Sequence, residues 1–167
     1  MRQTIKKVSH RFLPSHDPKI IALAALGAAL AIGVLGWLGR VSDFTFLFGP
    51  FGASAVLLFA LPAGPLSQPI NVVAGHMLCA VIGLALAYLL PESFIGAGLA
   101  VGLSIAAMMA ARITHPPAGA MTLVAGTMAD KPMFLASVLA GSIALVVAAM
   151  VWHWLAGGKY PIQPTGS

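Results

Sequence analysis

The sequence predicts an all-α integral membrane protein built as one transmembrane domain. Hydrophobic residues make up 59% of the 167-residue chain and charged residues only 8%, whereas a soluble domain carries about 25% charged residues. The mean hydropathy is +0.96, and long uncharged runs alternate with short connections that hold most of the charges. This composition excludes a soluble globular fold, and the length suits a single domain.

The first 19 residues form a basic tail ahead of the first apolar run. A basic segment in this position follows the positive-inside bias, so we expect a cytoplasmic N-terminus and no nucleic-acid partner. The run that follows is too long for a signal-peptide core and has no small-residue cleavage pattern after it, so we expect it to stay as a helix. Five of the nine basic residues lie in this tail: Arg2, Lys6, Lys7, Arg11 and Lys19.

Four uncharged runs are long enough, or nearly so, to cross a bilayer core of about 30 Å as helices rising about 1.5 Å per residue. They lie in one predicted transmembrane domain (20–156), which precedes a short C-terminal tail (157–167). An even number of crossings returns Lys159 and the C-terminus to the cytoplasmic side. The four predicted helices are Ile20–Leu38, Ile70–Leu90, Phe94–Ala111 and Met133–Leu155.

Two shorter apolar segments, Pro50–Leu61 and Pro116–Ala129, predict half-helices. Each spans only about 18–21 Å as a helix and opens with proline, which suits the first helical turn. Segments this short are often re-entrant, and their Gly and Ala residues allow close packing inside the protein. We therefore expect four crossings with two re-entrant insertions, with six full crossings as the alternative.

The two halves of the transmembrane domain, 20–90 and 94–155, resemble each other. PFGASAVLLFA (50–60) and NVVAGHMLCAV (71–81) match PPAGAMTLVAG (116–126) and SVLAGSIALVV (137–147) at a shared offset of 66 residues. This predicts an internal two-fold repeat in which each half reads long helix, break, short helix, long helix. Four crossings would make the repeats parallel and six would make them inverted. Repeats with matching interruptions are the best sequence indication of a transporter site.

The stretch RITHPPAGA (112–120) predicts an anion site at a helix N-terminus. Residues before proline favour extended backbone, so the chain is interrupted before a helix that begins at the proline pair. The first amides of that helix would point back toward His115, and the helix dipole favours an anion there. Interfacial anchoring is the alternative role for Arg112. The candidate binding residues of this half are Arg112, Thr114, His115, Pro116, Pro117, Ala118 and Gly119.

The stretch GPFGASA (49–55) predicts the same device in the first half. A helix that begins at Pro50 would leave three amides free, and Ser54 adds a hydroxyl. Two such N-termini would converge near the middle of the membrane on one small ligand, whereas a plain kink or helix stop is the alternative. The candidate residues are Gly49, Pro50, Gly52, Ala53 and Ser54, with the free amides on the last three.

Asn71 and His76, in the second long run, are further binding candidates. Polar residues inside a membrane are functional hypotheses by default, although hydrogen bonding between helices explains both nearly as well. His153 lies between Trp152 and Trp154, and we expect it to belong to an aromatic belt at the membrane interface.

The sequence predicts no enzyme, no metal and no resident cofactor. It has only four acidic residues, none of them paired at helical spacing in an apolar run, and it lacks nucleophile-elbow, H-E-x-x-H, paired-cysteine and Walker patterns. His76 and His115 without a nearby carboxylate make a poor metal site. The single cysteine, Cys79, excludes an internal disulfide and is expected to be a small packing residue.

Two segments carry a resemblance to a known family. GPFGASAVLLFALPAGPLSQPINVVAGHMLCAVIG (49–83) has a G-P-F-G-A-S-A opening, a Q-P-x-N-V step and a G-H pair, and RITHPPAGAMTLVA (112–125) has a T-x-H-P-P-A-G-A stretch. On these motifs the chain resembles the HPP family of small integral membrane proteins, from about Pro18 to Trp154. The resemblance implies four membrane-spanning helices. Nitrite transport, linked to plastid and cyanobacterial members, is the one activity it implies.

These observations favour a transporter or channel for a small monovalent anion bound at the N-termini of the two half-helices, and the resemblance implies nitrite as that anion. Fixed N–H dipoles would replace part of the ion's hydration, and His115, with His76 as a second relay, would allow proton coupling. A pore for a small neutral molecule and a non-transporting membrane scaffold or partner subunit are the alternatives. We expect a homo-oligomer, because glycine-rich helices associate closely, in a bacterial inner membrane, because the chain carries no transit peptide.

Overall fold

A computed structural model describes residues 15–162, and within them the protein has six α-helices, one 3-10 turn and no β-strand. Arg2, Lys6, Lys7 and Arg11 of the predicted basic tail lie outside the described residues, as do residues 163–167. The elements are α1 (Pro18–Val41), α2 (Gly49–Ala60), the 3-10 turn (Pro65–Ser67), α3 (Pro69–Leu89), α4 (Phe94–Ala110), α5 (Pro116–Gly126) and α6 (Lys131–Leu155).

Proline or a capping side chain fixes the start of each helix. Five of the six helices carry a proline in the first turn, where the missing N–H has no helical partner to lose. The start of α4 has no proline, and the side chain of Ser93 caps it by accepting the N–H of Gly96 at 3.0 Å. These local signals explain why most helix starts lie close to their predicted positions.

Three helices, α1, α3 and α6, are long and apolar enough to cross a membrane, with 24, 21 and 25 residues. α4 has 17 residues, about 25 Å, which is less than a hydrocarbon core of about 30 Å. The all-helical prediction is therefore confirmed, and three of the four predicted long helices are found at that length. The short helices α2 and α5 have 12 and 11 residues.

Helices α3 and α5 lie side by side and run in the same direction. A Cβ added to Gly75 would lie 3.1 Å from the Cβ of His115 at the start of α5. A Cβ added to Gly83 would collide with the backbone of Thr122, two turns further along α5. Because the later contact on α3 pairs with the later contact on α5, the two helices are parallel.

Helices α2 and α6 are parallel in the same way. A Cβ on Gly141 would lie 2.5 Å from the ring of Phe51, near the start of α2. The rings of Phe59 and His153 stack near the ends of the two helices, with centroids 6.0 Å apart. Gly141 follows Gly75 by the 66-residue offset. The contact of α3 with α5 and the contact of α6 with α2 are therefore made at corresponding glycines of the two halves.

Two contacts fix the direction of α3 relative to α6. The Phe51 ring lies 5.1 Å from the His76 ring and also contacts Gly141, so the middles of α3 and α6 lie at the same level. The Tyr160 hydroxyl, just after α6, donates to the carbonyl of Ser67, just before α3. The two helices are therefore antiparallel.

The outer helices α1 and α4 are each antiparallel to a neighbour. Gly27 of α1 packs against Phe59 at the end of α2, while Gly36 packs against Leu47, just before α2 begins. Cys79 in the middle of α3 contacts Met108 near the end of α4, with 3.6 Å between the sulfurs. The start of α4 lies beside the end of α3, where both line one cavity.

Chain direction therefore alternates at every helix, and the halves α1–α3 and α4–α6 run in opposite directions. A re-entrant α2 would return the chain to the side where α1 ends, and α3 would then run opposite to α1. Because α1 and α3 run in the same direction and α2 runs opposite to both, the expectation of re-entrant short helices is wrong. α2, α3, α5 and α6 form the centre, with α1 against α2 and α6, and α4 against α5 and α3. We call the side where α1 begins and α6 ends the first side, and the other the second side.

Candidate functional site

Three buried polar side chains meet where α2, α3 and α5 pack together. We call Ser54, His76 and His115 the Ser–His–His cluster, and each has 0% of its surface exposed. Ser54 Oγ lies 2.8 Å from Nε2 of His115 and 3.4 Å from Nε2 of His76, and the imidazole centroids are 5.0 Å apart. The fold thus brings predicted site residues of both halves into direct contact.

Backbone carbonyls orient both imidazole rings. Nδ1 of His76 lies 2.8 Å from the carbonyl oxygen of Val72, and Nδ1 of His115 lies 2.8 Å from that of Leu66. A carbonyl oxygen only accepts, so both Nδ1 atoms carry hydrogen and donate. In the neutral ring the other nitrogen, Nε2, is then an acceptor. Both Nε2 lone pairs therefore face Ser54.

The cluster has fewer hydrogens than acceptors when both rings are neutral. The single hydroxyl hydrogen of Ser54 faces three acceptors, namely the two Nε2 atoms and the Pro50 carbonyl oxygen at 3.0 Å. At least one Nε2 then lacks a donor, and a buried unsatisfied polar atom costs about 1–3 kcal/mol. One added proton gives both Nε2 atoms a hydrogen-bond partner, because a protonated His115 can donate to Ser54 Oγ while the hydroxyl donates to Nε2 of His76.

Neighbouring groups hold the two histidines in place. The Asn71 side-chain amide donates to the carbonyl of Thr114 at 3.0 Å, which ties α3 to the residue before His115. The Phe51 ring meets the His76 ring edge to face. His76 is the eighth residue of α3, so the cluster lies about 10 Å along that helix from its start on the first side.

The segment after α6 packs against the 3-10 turn that precedes α3. The Tyr160 hydroxyl donates to the Ser67 carbonyl at 2.8 Å, and the Ile162 amide donates to the Gln68 side chain at 3.1 Å. Burial raises the pKa of the Tyr160 phenol above its usual value. Because Ser67 follows Leu66, this segment fixes the turn whose carbonyl orients the imidazole of the second half.

The start of α5 does not offer the predicted free amides. Pro116 and Pro117 have no N–H, and the Ala118 N–H donates to the His115 carbonyl at 2.9 Å. The predicted donor role of Ala118 is therefore wrong, because the proline pair removes two donors and the backbone uses the third. Gly119 lies inside the helix, half-buried beside open space.

Helix α2 differs from its prediction for a similar reason. It begins at Gly49 rather than Pro50, and the Phe51 N–H donates to the Phe48 carbonyl at 2.9 Å. Donors from the second turn onward bond to carbonyls four residues earlier. Gly49, Gly52 and Ala53 are also exposed, unlike Ser54. The three predicted free amides therefore lie inside the helix: Gly52, Ala53 and Ser54.

Arg112 lies outside the cluster, and so does the exposed Pro116. Arg112 is exposed and has a positive φ of 58° in a Schellman motif that ends α4. The Ile113 N–H donates to the Met108 carbonyl at 3.0 Å, and the Arg112 N–H donates to the Met109 carbonyl at 3.1 Å. Its backbone therefore reverses the chain between α4 and the His-Pro-Pro stretch.

His153 is buried, so its assignment to an interfacial belt is wrong, whereas Trp154 is exposed. Its Nε2 donates to the Leu58 carbonyl at 2.8 Å, which joins α6 to α2. Sequence reasoning also missed the carbonyls of Leu66 and Val72, because backbone acceptors have no residue signature. Phe51, whose ring contacts His76, lies in the GPFGASA stretch (49–55) and could have been named as a candidate site residue from the sequence.

The geometry defines a helical membrane protein with a polar site buried between two oppositely directed halves. A family model described as the HPP transmembrane region matches residues 13–161. The chain belongs to the HPP family of transmembrane proteins, as its His115–Pro116–Pro117 motif predicted.

Two curated relatives are transmembrane proteins of Dictyostelium discoideum. Each is 35% identical to this chain, over 127 and 126 residues. The matches cover 70% of this chain in both cases, but only 41% and 44% of the relatives. The chain thus spans less than half the length of the curated relatives it matches. No solved structure matches it.

Proposed function

We propose that the protein carries a small monovalent anion across the membrane together with a proton, with nitrite as the first substrate to test. The observation that carries this proposal is the proton deficit of the Ser–His–His cluster. A site that accepts a proton between the two halves of a membrane protein becomes a buried cation. A buried cation requires a counter-ion.

Proton uptake and anion binding support each other at this site. An uncompensated charge in the membrane interior costs about 3 kcal/mol or more. A bound anion offsets that cost, and by linkage the proton strengthens binding of the anion by the same factor. The anion reaches the Nε2 atoms when the contact between Ser54 and His115 opens. The imidazoles thereby take the role that the sequence suggested for free helix amides.

The architecture supports a transporter over a scaffold. Oppositely directed halves with short helices at their interface recur in secondary transporters, whose sites lie between the halves. Here Ser54 and His76 come from the first half and His115 from the second. Relative movement of the halves would separate these groups and expose the site.

The charge distribution indicates which side faces the cytoplasm. Lys19, Arg112 and Lys159 lie on the first side, while Arg40 and Lys131 lie on the second. Four further basic residues of the sequence precede α1. The positive-inside rule therefore favours a cytoplasmic first side, and both ends of the described chain lie on that side.

Nitrite uptake into proteoliposomes tests the proposal. Purified protein is reconstituted, and uptake of nitrite, nitrate, chloride and formate is compared at several external pH values, with protein-free liposomes as the leak control. We expect uptake of nitrite to rise with an inward proton gradient. His115→Gln and His76→Gln should each lower it at least tenfold, because glutamine occupies the space without accepting the proton.

His16→Gln is the matched control, since His16 is an exposed histidine outside the cluster. It should transport like the unaltered protein. Equal uptake in all three variants would remove the cluster from the mechanism. Uptake of neutral solutes with no response to pH would indicate a neutral pore, and no flux of any tested solute would favour a scaffold.

A further inference from the structure

A cavity of about 520 Å³ lies between α3, α4 and α5 and opens on the second side. Glu92 and Ser93, just before α4, lie at its outer end. Deeper in the cavity the lining residues of α4 are small: Gly96, Ala97 and Ala100. Its inner end lies at the level of Gly83, Ala100 and Thr122, about 10 Å from Ser93 along α4.

The inner end of the cavity carries a buried hydroxyl pair. Thr122 Oγ1 and Ser104 Oγ are 2.8 Å apart, and their residues are 3% and 0% exposed. Thr122 follows His115 by seven residues, which places both on the same face of α5 about 10 Å apart. Cys79 and Met108 are in contact nearby. The pair thus lies between the cavity and the cluster.

The charges of the cavity favour a proton over an anion. Of the described residues that line it, Glu92 alone carries an ionisable group, and its carboxylate attracts protons and repels anions. Hydroxyl groups can pass a proton along hydrogen bonds because each both donates and accepts. Thr122 and Ser104 are the protein hydroxyls at the inner end of this route.

We propose that this cavity is a water-filled vestibule that delivers protons from the second side, through the Ser104–Thr122 pair, to the Ser–His–His cluster. The inference rests on the proposed proton-coupled function and adds the route. The pair takes a proton from vestibule water and releases another to water that enters between the pair and the cluster, a distance of about 10 Å, and that water passes it to Nε2 of a cluster histidine. Only protons are exchanged, so no oxidant or reductant is needed.

Water access is tested by thiol labelling, which requires no substrate. Cys79→Ala removes the one cysteine of the chain, and Ala100→Cys is introduced in that background. Leu103→Cys is the control, because it lies one turn further along α4, is 51% exposed and does not line the cavity. A membrane-impermeant cationic methanethiosulfonate is added to intact cells. Lys159→Cys, on the first side, reports whether the reagent enters the cell.

We expect Ala100→Cys to react at least ten times faster than Leu103→Cys, with Lys159→Cys labelled only after permeabilisation. Equal or absent labelling of the two α4 positions would overturn the vestibule whatever ion is transported. Thr122→Val then tests the hydroxyl pair, with Thr45→Val as its control, because Thr45 is exposed and does not line the cavity. A fivefold or greater loss of proton-driven uptake is expected for Thr122→Val alone, and unchanged uptake would overturn the proton route through the pair.

Discussion

Gly83 of α3 lies so close to the carbonyl of Thr122 on α5 that no Cβ fits between them. Gly75, eight residues earlier, makes the corresponding close approach at His115. Small residues at such spacing allow the backbones of membrane helices to pack in contact. The position of α5, and with it that of His115, depends on these two close contacts with α3.

Gly83→Ala should destabilise the protein by about 1–3 kcal/mol, the usual effect of overpacking, because the obstructing atom belongs to the backbone. Thermal unfolding in detergent measures the change. Gly102→Ala on α4 is the control, since a Cβ there meets nothing within 4 Å and alanine favours helix. Equal stability of the two variants would contradict the close packing.

Ser54→Ala removes the one hydroxyl that joins the two imidazoles. We expect proton-driven nitrite uptake to fall at least tenfold, while stability changes by only about 1–2 kcal/mol. Ser42→Ala, which removes an exposed hydroxyl bonded to the Leu38 carbonyl, should leave uptake unchanged. Retained uptake in Ser54→Ala would show that the serine is only a structural bridge.

One proton should accompany each anion. A second proton would place two cations with ring centroids 5.0 Å apart, a repulsion of about 3 kcal/mol at an effective dielectric constant of 20. A pH-sensitive dye inside the liposomes, read together with nitrite uptake, gives the ratio. A ratio near two, or nitrite uptake without acidification, would contradict the single-proton cluster.

Stability should fall at alkaline pH because of Tyr160. Its pKa is raised in the folded protein by burial, so its contribution is fully present below the ordinary tyrosine pKa of about 10 and is lost as pH rises toward the folded value. Tyr160→Phe should lose about 1 kcal/mol at neutral pH through its bond to Ser67. It should also show a smaller alkaline decline, measured by unfolding at pH 8 and pH 11, with exposed Tyr88→Phe as the control.

Arg112→Gly should stabilise the protein by about 1 kcal/mol, since a non-glycine residue in the left-handed region is unfavourable by about that amount. Arg112→Ala keeps the unfavourable backbone geometry and removes the guanidinium, so it should show no gain. Thermal unfolding of the two variants separates backbone from charge. A loss of stability in the glycine variant would indicate that the arginine side chain itself holds the turn.

Local chemistry predicted the helices well, because proline fixes helix starts and apolar runs fix helix lengths. The start of α5 at Pro116 was predicted from the His-Pro-Pro stretch alone. Chain direction was not predictable in this way. The length argument assumed that the apolar segments 50–61 and 116–129 are too short to cross and must turn back. In the structure, residues 42–48 and 111–115 add length ahead of α2 and α5 as non-helical backbone.

The candidate site was predictable in its side chains but not in its chemistry. Ser54, His76 and His115 stand out as polar residues in apolar surroundings. Their hydrogen-bond pattern depends on the carbonyls of Leu66 and Val72, which any residue supplies and which only the fold brings into reach. The amide donors predicted at the start of α5 are absent because Pro116 and Pro117 have no N–H and the Ala118 N–H donates to the His115 carbonyl. Those predicted in α2 lie inside the helix.

Each half of the transmembrane domain contains three helices, and that odd number has a genetic consequence. A tandem copy of a three-helix segment enters the bilayer upside down, since the first copy ends on the side opposite to its start. Duplication and inversion would then be a single event. One gene would come to encode two halves of opposite orientation in the membrane without any change in its insertion signals.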